Sequence, residues 1–436
     1  MKWKKSVKGL CENYYIRYTA AFGIMAAAVF STFLINKKSF IHSGDGWIQH
    51  FQAILYYSRY LRSIIANFLS SGTLSLPTYS FHLGYGADLM TTLQYYVIGD
   101  PICLLAAAVP IRWMEYFYCF AILLRLYLAG ITFSMYCFYR KKQEKQIGGG
   151  YSCEAIGIGT LVYVFCGYAL MAGLVHPYFG NPMIYFPLVL LGVEKILMGE
   201  SPILLALSVC LSAGSNFYFF YMIVVLTVIY VVWRVLTVYR RGSTKAAAAV
   251  VGRITLFSLL GTLMAAALLL PVIVCFLEDA RLSVHGKIDL LYPLNEWKFA
   301  LMGFVSINSL HFRVMGYAPI ALLAVGALFL AKKQNTDLKV AFLVLSAMLM
   351  IPAVGSFMNG FAYVTNRWIW GYSMLIAFIV VQMWNRICGL DLEAVVKLAA
   401  ITGGYFLLCV LLPQTVSVGG LVSLGMAFFN GVRSVL

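Results

Sequence analysis

The sequence predicts an all-α polytopic membrane protein with about 11–12 transmembrane helices, read as a single integral membrane domain over residues 1–436. Two observations carry that prediction. The first is composition: 62% of the residues are hydrophobic and only 11% are charged, whereas a soluble domain carries about 25% charged residues. Mean hydropathy is +0.85. A water-soluble globule, a disordered tail and a nucleic-acid binder are all excluded, even though the net charge is +16. The second observation is patterning. Apolar runs of span length alternate with short basic loops, and only a helix satisfies its own backbone in lipid.

The runs cover 18–36, 114–139, 155–175, 180–198, 202–215, 217–238, 254–276, 316–331, 340–354, 368–385 and 396–412, with a weaker one at 417–436. Runs 202–215 and 340–354 are short and borrow flanking residues. The apolar stretch 89–110 is interrupted by Gly99-Asp100-Pro101, so it reads as an interfacial or re-entrant segment. Lys2, Lys4, Lys5, Lys8 and Arg17 place the N-terminus in the cytoplasm. Alternation then puts Arg140-Lys141-Lys142, Lys195, Arg234, Arg253, Lys339, Arg386 and Lys397 on the same side. About two thirds of the basic residues fall there, as the positive-inside rule requires. The first run reads as an uncleaved helix, since no small-residue cleavage site follows it. Ten cysteines show no CxxC or Cys/His metal spacing and read as apolar side chains.

This topology leaves two large outer loops, 37–113 and 277–315. The first carries Ser43-Gly44-Asp45-Gly46-Trp47-Ile48-Gln49-His50, then apolar residues at helical spacing from Phe51 to Leu69, as expected of an interfacial helix. A glycine-rich turn, Phe81 to Asp88, follows. All six histidines and eight of the sixteen acids lie on this side or at its edge. A transporter more often holds ionisable groups near the bilayer midplane between structural repeats, and no internal repeat is visible.

Taken together, the motifs resemble the YfhO-like bacterial membrane proteins, which have the multi-spanning GT-C glycosyltransferase architecture. The resemblance rests on Gly44-Asp45-Gly46 with Gln49, on Leu83-Gly84-Tyr85-Gly86 with Asp88 before Tyr95-Tyr96, and on Gly99-Asp100-Pro101. It also rests on His176-Pro177 with Phe179 and Asn181-Pro182, and on Asn359-Gly360-Phe361 with Asn366-Arg367-Trp368. Each motif is short; their order along the chain is the specific feature. Family members are commonly longer than this chain. The resemblance implies a bacterial cytoplasmic-membrane protein with its site on the extracytoplasmic face. It implies a polyprenyl-phosphate-linked sugar donor, and an envelope glycopolymer, such as teichoic acid, or a glycolipid as acceptor.

The same resemblance implies roles for single residues. Asp45 would be the catalytic base; by composition alone Gly-Asp-Gly is also an ordinary surface turn. Arg367 would hold the carrier phosphate, with Arg59 and Arg62 assisting, since a guanidinium matches phosphate bidentately. Arg beside Trp is equally a membrane-interface anchor. Gln49, His50, Tyr85, Asp88, His176, Asn181, Asn359 and Asn366 would contact substrate, against the plainer reading of an aromatic belt with polar loops. Asp88 and Asp100 also read as helix caps. Arg125 stands alone in mid-span and must face protein or water. Glu278-Asp279 could bind a divalent cation, but adjacent acids diverge on a helix, and no metal or other cofactor is expected. No glycine-rich nucleotide loop appears. Two other classes remain: a lipid or polysaccharide transporter or flippase, and a non-catalytic envelope-assembly subunit.

Overall fold

A computed structural model describes residues 2–146, 150–239, 243–278, 288, 290–307, 312–331 and 334–411. The described chain is almost wholly helical, as a bilayer solvent demands. Its one strand pair, β1 (Tyr79–Ser80) and β2 (Ala87–Asp88), closes the glycine-rich turn, pairing Tyr79 with Asp88 and Ser80 with Ala87. Gly86 sits at φ +108°, and a side chain there would collide with the Tyr79 hydroxyl. The chain divides into two compact units, one of Met1–Val164 with Ala169–Ser283, the other of Phe165–Tyr168 with Val284–Leu436.

The first unit begins with α1 (Lys2–Ile35), a π-turn (Gly46–Phe51) and α2 (Gln52–Ser71). The amphipathic stretch is thus a helix; Ala53, Ile54, Tyr57, Ser58 and Ile64 face inward, while Ile65, Phe68 and Leu69 stay exposed. Gly72 ends it at φ +70°, the left-handed cap that glycine adopts without strain. The interrupted stretch folds as short pieces, α3 (Leu89–Leu93) and α4 (Pro101–Leu104), with no continuous helix through Gly99. Next come α5 (Met114–Gln146), α6 (Cys153–Val164), α7 (Gly173–Val175), α8 (Asn181–Leu197), α9 (Ile203–Ser215), α10 (Phe217–Val238), α11 (Thr244–Met264) and α12 (Ala266–Leu277). Helix α8 is the centre: 15 of its 17 residues are buried, the signature of a helix apolar on every side. It packs between α5 and α9. Gly192 permits the α9 contact, because a Cβ there would come within 2.7 Å of the Leu205 Cα.

The second unit contains α13 (Leu294–Met302), α14 (Pro319–Leu330), α15 (Thr336–Leu349), α16 (Pro352–Met358), α17 (Ile369–Cys388) and α18 (Leu392–Leu411). Helix α17 packs on α14 and α15, with Tyr317 and Ser373 hydrogen-bonded at 2.9 Å. The chain bends by 89° between α15 and α16. Ile351 is extended there because Pro352 disfavours helical geometry in the residue before it.

Six described helices are long and apolar enough to cross a membrane, or up to eight if each of two bent pairs is one span. The sequence reading of 11–12 counted apolar runs that fold shorter. Helices α9, α12 and α14 have 13, 12 and 12 residues. At about 1.5 Å per residue they reach roughly 18–20 Å, against the ~30 Å of hydrocarbon. The weak run 417–436 lies outside the described residues.

Candidate functional site

The Gly44-Asp45-Gly46 motif is a tight turn leading into the π-turn. The Trp47 amide donates to both His42 O and Gly44 O, at 2.8 and 3.0 Å. Gly46 is required here, since a Cβ would come within 2.9 Å of the His42 Cβ. The wide π-turn puts Gln49 beside Asp45 and turns His50 inward. Gln49 Nε2 donates to Asp45 Oδ1 at 3.0 Å, and its Oε1 accepts from the Tyr96 hydroxyl at 2.9 Å. The other carboxylate oxygen, Asp45 Oδ2, faces His176 Nε2 at 3.9 Å. His176 Nδ1 in turn meets His50 Nε2 at 2.7 Å. Asp45 therefore presents a half-exposed carboxylate, backed by two imidazoles of which His50 is fully buried.

Aromatic rings wall this cluster. Tyr178 meets His50 edge-on at 5.0 Å, and Phe179 stacks on His176 at 4.5 Å. Burial, with the neighbouring His176 adding, pulls His50 down to about 3. It is neutral across the physiological range. Burial and the Asp45 charge together raise Tyr96, which keeps its proton and remains the donor to Gln49.

A second, closed network lies behind the first. Arg125, within α5, pairs with Asp100 at 2.5 Å, and Asn181 bridges them. Asn181 also reaches Ser215 at 2.9 Å, and Asp100 Oδ1 caps α4 through the Ile102 amide at 2.9 Å. All are buried. Asn181, expected to contact substrate, has its amide engaged inside the unit, where it holds α5, α8 and the Asp100 loop together.

The other residues with expected roles are placed as follows. Asp88 caps α3, accepting from the Thr91 amide and hydroxyl at 2.8 and 3.0 Å. Arg62 is committed to the Val109 carbonyl, whereas Arg59 is exposed. Tyr85 projects fully into the surroundings at the hairpin turn. In the second unit Asn359 is buried and donates to the Tyr363 carbonyl at 2.9 Å, and Asn366, also buried, donates to the Tyr292 hydroxyl at 3.2 Å. Arg367 stacks over Phe312 at 4.7 Å and Tyr363 at 5.7 Å.

Two features escape a sequence reading. Glu194 is fully buried and bound by Arg234 (Nε 2.5 Å, Nη2 3.0 Å), Arg140 (3.2 Å), Tyr230 (2.5 Å) and Gln143 (2.9 Å). In the sequence Arg140 and Arg234 read as loop cations. In the second unit Arg313 is buried, stacks on Tyr292 at 4.2 Å and pairs with Glu296 at 2.9 Å. Among the described residues its Nε and Nη1 have no hydrogen-bond partner. A lone arginine between apolar residues gave no signal of this. Glu278 is the described half of the acidic pair; Asp279 lies outside the described residues. Among the described residues no three His, Cys, Asp or Glu side chains converge as metal ligands do.

The family model for the bacterial membrane protein YfhO matches residues 11–428. No curated protein and no solved structure matches the chain. The match spans nearly the whole sequence and runs through every motif discussed above, so the chain belongs to the YfhO family of bacterial membrane proteins.

Proposed function

We propose that the protein is a membrane glycosyltransferase. It takes a sugar from a polyprenyl-phosphate carrier and passes it to an envelope glycopolymer or glycolipid at the extracytoplasmic face. The observation that carries this reading is Asp45: a half-exposed carboxylate oriented by Gln49 and His176 on a turn whose glycines leave room for a close approach. Asp45 removes the acceptor hydroxyl proton as that oxygen bonds to the anomeric carbon. The bond from that carbon to the carrier phosphate oxygen breaks with inversion, its electrons leaving on the lipid phosphate. The proton on Asp45 then returns to water. The carrier's isoprenoid tail remains in the bilayer throughout.

Phosphate binding is proposed for Arg367 and Arg313, and it is tested separately. Arg367 keeps its guanidinium on aromatic faces, and among the described residues Arg313 Nε and Nη1 have no hydrogen-bond partner. Arg367→Gln and Arg313→Gln are each expected to raise KM for the lipid donor roughly tenfold, the loss of one charge-assisted hydrogen bond. An unchanged KM in both removes the assignment. The proposed reaction is tested in cells lacking the protein, by the sugar content of their envelope polymers. Wild type should restore it and Asp45→Asn, inserted to the same level, should not.

A further inference from the structure

A cavity of about 30 Å³ opens against the His50 ring, lined among others by Tyr96, Tyr118, Ala121, Arg125 and Tyr178. Two polar atoms of its lining residues, His50 Nδ1 and the Tyr118 hydroxyl, are buried with no hydrogen-bond partner among the described residues. Both side chains are at least nine-tenths buried. A buried polar atom left unpaired loses what water gave it in the unfolded chain. The space exceeds what one water requires, and two polar partners are the minimum that hold one. Arg125 does not compete for these atoms, being engaged with Asp100, Asn181 and the Ala121 carbonyl.

The tautomers of the histidine pair follow from the charge beside it. One ring nitrogen in the His50 Nε2 to His176 Nδ1 contact must donate and the other accept. If His176 donated from Nδ1, its bare Nε2 lone pair would face the Asp45 carboxylate at 3.9 Å, an unfavourable approach. With His50 donating from Nε2, His176 turns Nε2–H towards Asp45, and His50 is left with a bare Nδ1 that needs a donor.

We propose that this cavity holds an ordered water that accepts from the Tyr118 hydroxyl and donates to His50 Nδ1, and so fixes the histidine pair with His176 Nε2–H directed at Asp45. Tyr118 and His50 are then positioning residues, acting on Asp45 through His176. The arrangement is independent of the catalytic reading, because it holds whether or not Asp45 removes a proton.

Two measurements on the full-length protein test it. The first is the melting temperature of Tyr118→Phe. A bridged hydroxyl that is removed strands the water and His50, so the melting temperature should fall, by about 2 °C. A dry, unpaired hydroxyl that is removed relieves a penalty, so an unchanged or raised melting temperature overturns the proposal. The second is solid-state NMR of the ¹⁵N-labelled imidazoles in lipid, assigned with His50→Gln and His176→Gln. His50 should carry its proton on Nε2, and its Nδ1 signal should move in Tyr118→Phe. A proton on His50 Nδ1, or a signal indifferent to Tyr118, overturns it.

Discussion

Asp45, Gln49 and His50 stand within six residues of one another, and a turn followed by a helix start brings such neighbours together without help from the rest of the chain. His176 is different. It joins them from 126 positions away, and only its place in a loop beside a span end suggested that it belongs on their side. The same local reasoning read Asp88 as a helix cap, which it is, but gave no sign that Asn181 braces the interior, because a short polar side chain near a helix start caps or braces as readily as it binds. Burial of His50 has a measurable consequence. Unfolded, its imidazole titrates near ~6.5; folded, it holds near 3. Between those values the unfolded chain binds a proton that the folded one does not, so stability is present above about pH 6.5 and is lost as pH falls. At pH 5 the loss amounts to about 2 kcal/mol. Melting curves at pH 7 and pH 5 should separate for wild type more than for His50→Gln; equal separations would contradict the assignment.

At the scale of elements, the helices were legible because apolar runs of span length have few other solutions. Their ends and pairings were not. Arg125 pairs with Asp100 across 25 positions, and Glu194 binds Arg234 across 40; no periodicity reports such partners. Arg140 and Arg234 look like ordinary cytoplasmic-loop charges until Glu194 is seen between them. Removing one member of a buried ion pair leaves the other uncompensated and costs about 3–5 kcal/mol. Arg125→Leu should therefore lower the melting temperature strongly. Adding Asp100→Asn to it should cost much less than the two single changes together, and simple additivity would argue against the pairing. Gly192→Val should be similarly damaging, because the α9 backbone leaves no room for its side chain.

At the scale of the whole molecule, the basic excess predicts an orientation with the N-terminus in the cytoplasm. Among the described residues six to eight helices reach crossing length, fewer than the 11–12 spans expected, because an apolar run is not yet a helix of crossing length. Orientation is open to direct measurement. In a cysteine-free background, Tyr85→Cys should react with a membrane-impermeant maleimide added outside intact cells, and Lys195→Cys only after permeabilisation. The reverse pattern would invert the topology. The claim that Asp45 is the base of a sugar transfer is tested most directly in proteoliposomes, by following polyprenyl phosphate released and sugar gained by the acceptor. Wild type should yield both in equal amounts, and Asp45→Asn, with donor binding intact, should yield neither; transfer by Asp45→Asn within about twofold of the wild-type rate, less than 1 kcal/mol of barrier, would contradict the account.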